Sequence, residues 1–312
     1  MLVLLAGSLA AGSSENTVAR RRPSAPVADA GRPDFKTDST VVLVNVTITD
    51  ARGRLITGLQ KENFQIFEEK AEQAVRYFST EDSPVSVALV LDFSRSMTKK
   101  FPQLREAVAQ FLQTANPYDE FCLIEFRDRA ELSLGFTVTP EEIRNRVALA
   151  HPAGRTALLD AVYLGLRQMK MAHNPRKALF VVSDGGDNHS RFSAREVEDL
   201  TRESDVEIYT IGIGDPAERS PWGFEASRGA SLLAEISEQG GGHYYGIDNV
   251  RDLPETAERI GRELRQQYVL GYISTNQGHD GKYRRVQVKV LRSPGQPKLS
   301  AYWRRGYYAP LD

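Results

Sequence analysis

Asp92-Phe93-Ser94-Arg95-Ser96 follows directly on the apolar run Val85–Leu91, so one carboxylate and two hydroxyls gather where a buried strand would end. Oxygen donors of this kind suit a hard divalent cation, and magnesium in particular keeps several waters while taking few protein ligands. The alternate spacing can turn both serines to one side, and strand ends of open α/β sheets are where ligands bind. Alone, the five-residue pattern is also that of a polar turn, because Asp and Ser are common turn formers. Two distant segments extend it. Gly154-Arg155-Thr156-Ala157-Leu158 opens an apolar helical pattern with a threonine, and Leu179–Ser183 is a second apolar run, ending in Asp184. Three loops are expected to converge, with Asp92 and Asp184 supplying negative charge and Ser94, Ser96 and Thr156 neutral oxygens.

The elements that would position these loops alternate between strand and helix. Leu104, Ala107, Val108, Phe111 and Leu112 recur at helical spacing before Asn116-Pro117, and Leu159, Val162, Leu166 and Met169 form another apolar face. Ser193-Ala194-Arg195-Glu196 reads as a capping box, and Val206–Ile211 as the strand that follows. Leu232, Leu233 and Ile236 predict a helix ending at Gly240-Gly241-Gly242, and Leu253–Leu264 a last one. The order β-α-β-β-α-α-β-α-β-α-β-α predicts an α/β fold with a doubly wound, mostly parallel sheet. Asp215–Gly229, with Pro216, Pro221, Trp222 and Phe224, reads as a long loop that could contact a partner.

Both flanks are β-rich. Val42, Val44, Val46 and Ile48 alternate with Leu43, Asn45, Thr47 and Thr49, and short strands follow at Phe64–Phe67 and Val75–Phe78. Tyr268–Ser274, Val286–Val290 and Leu299–Tyr308 mirror them at the other end. The expected organisation is a signal-like segment and linker over 1–37, β segments at 38–80 and 267–312, and the α/β domain at 82–266 between them. The flanking strands either share one small β-sandwich or lie as separate extensions on the central domain.

The motif residues resemble the von Willebrand factor A domain family, whose metal-ion-dependent adhesion site combines Asp-x-Ser-x-Ser with a threonine and an aspartate from two further loops. The resemblance spans roughly residues 82–266. It implies a divalent cation, Mg2+ first with Ca2+ or Mn2+ as alternatives, held by Asp92, Ser94, Ser96, Thr156 and Asp184 with one open position. It also implies a protein partner that presents an Asp or Glu carboxylate, with Arg95, Arg155, Asp187 and Trp222 at the rim. Gln267–Tyr272 and Arg304–Pro310 are similar to segments of secreted bacterial proteins related to this family. The rivals are an envelope scaffold with a vestigial metal site and, less favoured, a metal-assisted hydrolase, for which no base is evident near the three loops.

Composition removes other classes. With 40 Lys and Arg against 41 Asp and Glu the chain has no net field to attract nucleic acid. Cys122 is the only cysteine, which excludes an intramolecular disulfide and a multi-cysteine metal site and fits an apolar filler in a strand. Gly212-Ile213-Gly214 lacks the third glycine of a dinucleotide loop, and the five histidines show no metal spacing. Residues 2–11 read as the apolar core of a secretory signal without its basic start, which points to secretion or a periplasmic location. No other stretch has the length needed to span a bilayer.

Overall fold

The computed structural model describes residues 41–80, 82–184, 186–214, 224–291 and 298–311. The signal-like segment, the linker and Trp222 lie outside them.

The central sheet is built from β5 (Val85–Asp92), β6 (Glu120–Phe126), β7 (Ala130–Thr137), β8 (Arg176–Ser183), β9 (Glu207–Ile213) and β10 (Tyr244–Ile247). Its order is β10-β9-β8-β5-β6-β7, parallel throughout except for β7, which runs antiparallel to β6. Every residue of β5 is buried, which explains why its sequence is apolar at all positions from Val85 to Leu91 but Ser86 rather than alternating. Helices α1 (Phe101–Gln113), α2 (Pro140–Leu149) and α6 (Leu253–Arg265) contribute to the core on one face; α3 (Leu158–Gln168), α4 (Ala194–Glu203) and α5 (Phe224–Gly240) contribute to the other. The element order is the one the sequence predicts. The five apolar positions of α1 are all buried, and Ser193 caps α4 with Glu196 closing the reciprocal bond. One expectation changes: α5 begins at Phe224, inside the stretch read as a loop to Gly229.

Two four-stranded antiparallel sheets are added by the flanks. One has the order β13-β1-β11-β4, from β13 (Leu299–Trp303), β1 (Val41–Asp50), β11 (Tyr268–Ile273) and β4 (Val75–Ser79). The other has the order β14-β12-β2-β3, from β14 (Gly306–Tyr308), β12 (Tyr283–Val290), β2 (Phe64–Glu68) and β3 (Ala71–Gln73). Val44, Val46 and Ile48 of β1 meet Ile66, Val286, Val288 and Trp303 in one apolar cluster. The chain leaves the flanking strands after β4 and returns at β11, and these two strands are hydrogen-bonded neighbours.

The other face of β1 turns towards the α/β layer. Asn45 Nδ2 donates to Glu207 Oε1 at 2.7 Å, and Gln267 Nε2 donates to Tyr209 Oη at 3.0 Å. Among the described residues no helix is long and apolar enough to cross a membrane.

Candidate metal centre

Sheet order places the site. From β5 the chain adds β6 on one side and later β8, β9 and β10 on the other, so the order reverses between β5 and β8. A crevice opens at such a switch point, beyond the carboxyl ends of the strands. Asp92 closes β5, and Asp184 follows β8 directly.

Asp92 is wholly buried. Its Oδ1 accepts from Ser94 N at 2.8 Å, and its Oδ2 accepts from Ser183 Oγ at 2.6 Å. Burial in this pocket, reinforced by the negative charge of Asp184, pushes its carboxyl up to about 7, against the pull of the Ser183 and Ser94 hydrogen bonds. Ser94 and Ser96 bring their Oγ atoms to 2.9 Å from each other, and Ser96 Oγ donates to Asp184 Oδ1 at 3.1 Å. The alternate spacing therefore does turn both hydroxyls the same way. Past Ser94 the chain enters a 3₁₀ turn, Arg95–Lys99, that leads into α1.

The second loop is fastened to the first through its backbone. Ala153 N donates to Phe93 O at 2.8 Å, and Arg95 N to Gly154 O at 3.2 Å. Gly154 has φ +79°, and a Cβ there would lie 2.4 Å from Asp128 Oδ2, so the turn that delivers Thr156 needs glycine. Thr156 is buried; its amide donates to Asn188 Oδ1 at 3.1 Å, and its carbonyl accepts from the Asn188 and His189 amides. All three loops are thus knit together.

Asp187, expected at the rim, has its Oδ1 engaged by the Leu158 amide at 2.9 Å and by Ser190 Oγ, so it serves the N–H groups that the start of α3 leaves without a partner inside the helix. Arg95 and Arg155 are exposed. Two residues were not anticipated. Ser183 holds Asp92, and the parallel register, which pairs Leu91 with Val182, places it level with that aspartate. Lys100 Nζ donates to Asp184 Oδ2 at 2.9 Å, from a side chain that is mostly buried. Its position four residues after Ser96, one helical turn on, was the available signal.

The oxygen spacing is a test of fit. Adjacent vertices of a magnesium octahedron with ligands at about 2.0–2.1 Å are about 2.9 Å apart. The hydrogen-bonded contacts of 2.9 and 3.1 Å from Ser94 Oγ through Ser96 Oγ to Asp184 Oδ1 bring the three oxygens close enough for one cation to take the place of the shared protons. Neutral hydroxyls beside two carboxylates are also the donor set of a hard cation.

Residues 87–186 match the von Willebrand factor type A domain family. The matched stretch runs from β5 to the third loop and carries all five candidate ligands. Proximal thread matrix protein 1 from the mussel byssus is similar over 64% of this chain and 51% of that one, at 17% identity and a TM-score of 0.50. A second structure of the mussel protein, with a zinc-occupied metal-ion-dependent adhesion motif, is similar over 63% and 49%, at 17% identity and a TM-score of 0.47. The conserved hypothetical protein BatB from Bacteroides thetaiotaomicron is similar over 58% of this chain and 98% of that one, at 18% identity and a TM-score of 0.47. These identities speak to the fold alone. No curated protein matches the chain.

Proposed function

We propose that this chain is a metal-dependent protein-binding module, secreted or periplasmic, in which Asp92, Ser94, Ser96, Thr156 and Asp184 hold a divalent cation, magnesium first. The bound cation would supply an open coordination position for an Asp or Glu carboxylate of a partner protein. One observation carries the reading: Ser96 Oγ, itself 2.9 Å from Ser94 Oγ, reaches Asp184 Oδ1 at 3.1 Å from a loop 88 residues away, so hydroxyl and carboxylate oxygens of two loops converge on one point.

Asp92 accepts from Ser94 and Ser183, and Asp184 from Ser96 and Lys100, so both carboxylates are oriented by neighbouring donors and each oxygen keeps a lone pair for a cation. Export rests on the apolar start of the sequence, and the adhesion role on the match to the von Willebrand factor type A family.

The deciding experiment titrates the protein with Mn2+ as a probe, alongside the Asp184→Ala variant, and follows the fold by circular dichroism. Wild type should take up one ion per chain, and the variant should lose at least tenfold in affinity with its spectrum unchanged. Equal uptake by both proteins would refute the assignment. Capture of envelope proteins with and without a chelator then tests the partner role.

A further inference from the structure

Over 312 residues the charges nearly cancel, to a net −1. Around the site acids and bases also balance in number, but the carboxylates there are engaged by backbone amides, hydroxyls or Lys100 while three cations are unpaired. Two carboxylates, the Lys100 ammonium and a divalent cation would leave one positive charge in the crevice. Arg95 and Lys99 are exposed on the 3₁₀ turn, and Arg155 is exposed on the second loop. Among the described residues no carboxylate pairs with any of these three side chains; the Arg155 guanidinium faces only His189 Nδ1, at 3.4 Å. Two further arginines on the neighbouring β6–β7 loop are paired, Arg127 with Glu125 at 2.9 Å, a carboxylate it shares with Arg146, and Arg129 with Glu131 at 2.7 Å. Asp128 is the acidic residue on that rim, and its Oδ1 already accepts from the Arg155 amide at 3.0 Å.

We infer that this face recognises an acidic peptide segment, in which the carboxylate that reaches the site is flanked by further Asp or Glu residues paired with Arg95, Lys99 and Arg155. The inference rests on the metal-site reading and adds the class of partner. Guanidinium groups match carboxylates with two parallel hydrogen bonds, which single out short acidic side chains by geometry as well as charge. The unpaired cations sit on two loops around one point. A long polyanion such as a sulfated polysaccharide would call for a continuous basic stripe, and here that stripe is interrupted by the Glu125 and Glu131 pairs.

The test uses the full chain and two fluorescent peptides of equal length, each with a central Asp, one flanked by Glu and one by Ser and Gly. Anisotropy is read in Mg2+ and in EDTA, at low and raised salt. The acid-flanked peptide should bind about tenfold tighter in Mg2+, the scale of a few exposed ion pairs, and the preference should fade with salt. The double variant Arg95→Gln, Arg155→Gln should lose the preference, and an Mn2+ titration of the same variant checks that the crevice is intact. Equal binding of the two peptides, binding of neither, or an unchanged preference in the double variant would overturn the inference. So would a sulfated oligosaccharide that displaces the acidic peptide at lower concentration. A preference that persists in EDTA and vanishes in the double variant would uphold the rim and overturn the metal reading; metal-dependent binding with no preference would do the reverse.

Discussion

Replacing Asp92 by Asn should make the metal-free protein more stable at alkaline pH while abolishing its response to magnesium. Asp92 is wholly buried, and its carboxyl is pushed up to about 7 by burial and by Asp184, from a usual 3.8. A carboxyl raised this far is worse ionised in the folded protein than in water by a few kcal/mol, at roughly 1.4 kcal/mol for each tenfold change in proton affinity. The sign follows from the direction. A carboxyl whose folded value lies above its unfolded value contributes nothing adverse below about pH 4, and stability is then lost as pH rises towards about 7. Asn keeps the shape: its Oδ1 can accept from the Ser94 amide, and its amide can donate to Ser183 Oγ. With the lost charge-assisted bonds set against the gain, Asp92→Asn in EDTA at pH 8 should be about 1–4 kcal/mol more stable than wild type. For a domain of this size that is a melting temperature higher by about 2–4 °C per kcal/mol. The advantage should shrink as pH falls and vanish near pH 4. Magnesium at about a hundred times its dissociation constant should stabilise wild type by about 2.7 kcal/mol and leave the variant unmoved. Calorimetric melts over this pH range, with and without magnesium, read both effects. A variant less stable than wild type at pH 8 without metal, or an equal magnesium response in the two proteins, would refute the reasoning.

Lys100→Met keeps the apolar stem and removes the ammonium that sits 2.9 Å from Asp184 Oδ2. A cation about 5 Å from a divalent ion at an effective dielectric near 20 opposes it by about 3 kcal/mol per unit charge. Even with some loss of Asp184 orientation, Mn2+ affinity should rise about tenfold in a calorimetric titration; weaker binding would mean that Lys100 acts chiefly by holding the carboxylate. Cys122 is buried in β6, and burial pushes its thiol up to about 12. A thiol reagent at pH 8 should therefore leave the native protein unlabelled and react at once in denaturant, and fast labelling of the native protein would contradict the placement.

Much of the fold was legible because local pattern encodes burial. The apolar run Val85–Leu91, broken only by Ser86, marks a strand covered on both faces, and the alternation of Val44, Val46 and Ile48 marks the apolar face of β1, although Thr47 and Thr49 on its polar face are buried as well. The period of Leu104 to Leu112 and the Ser193–Glu196 box mark helices in the same way. The loop reading of Asp215–Gly229 failed where α5 begins at Phe224, because prolines and glycines upstream obscure a helix start. In the candidate site, residue type and strand-end position singled out Asp92, Ser94, Ser96 and Asp184, and the start of a helical pattern with the family resemblance added Thr156. Contacts between side chains far apart in the chain have no period and left no such trace. Lys100 reaching Asp184, Asp187 serving the start of α3, and Asn45 meeting Glu207 each join segments that only the packed sheet brings together. So the sequence by itself determined which segments are strands and helices and which oxygens end them. The tertiary structure decided which strands are neighbours, how the two flanks pair, and which charges offset one another, because those depend on distances through space that no window of sequence contains.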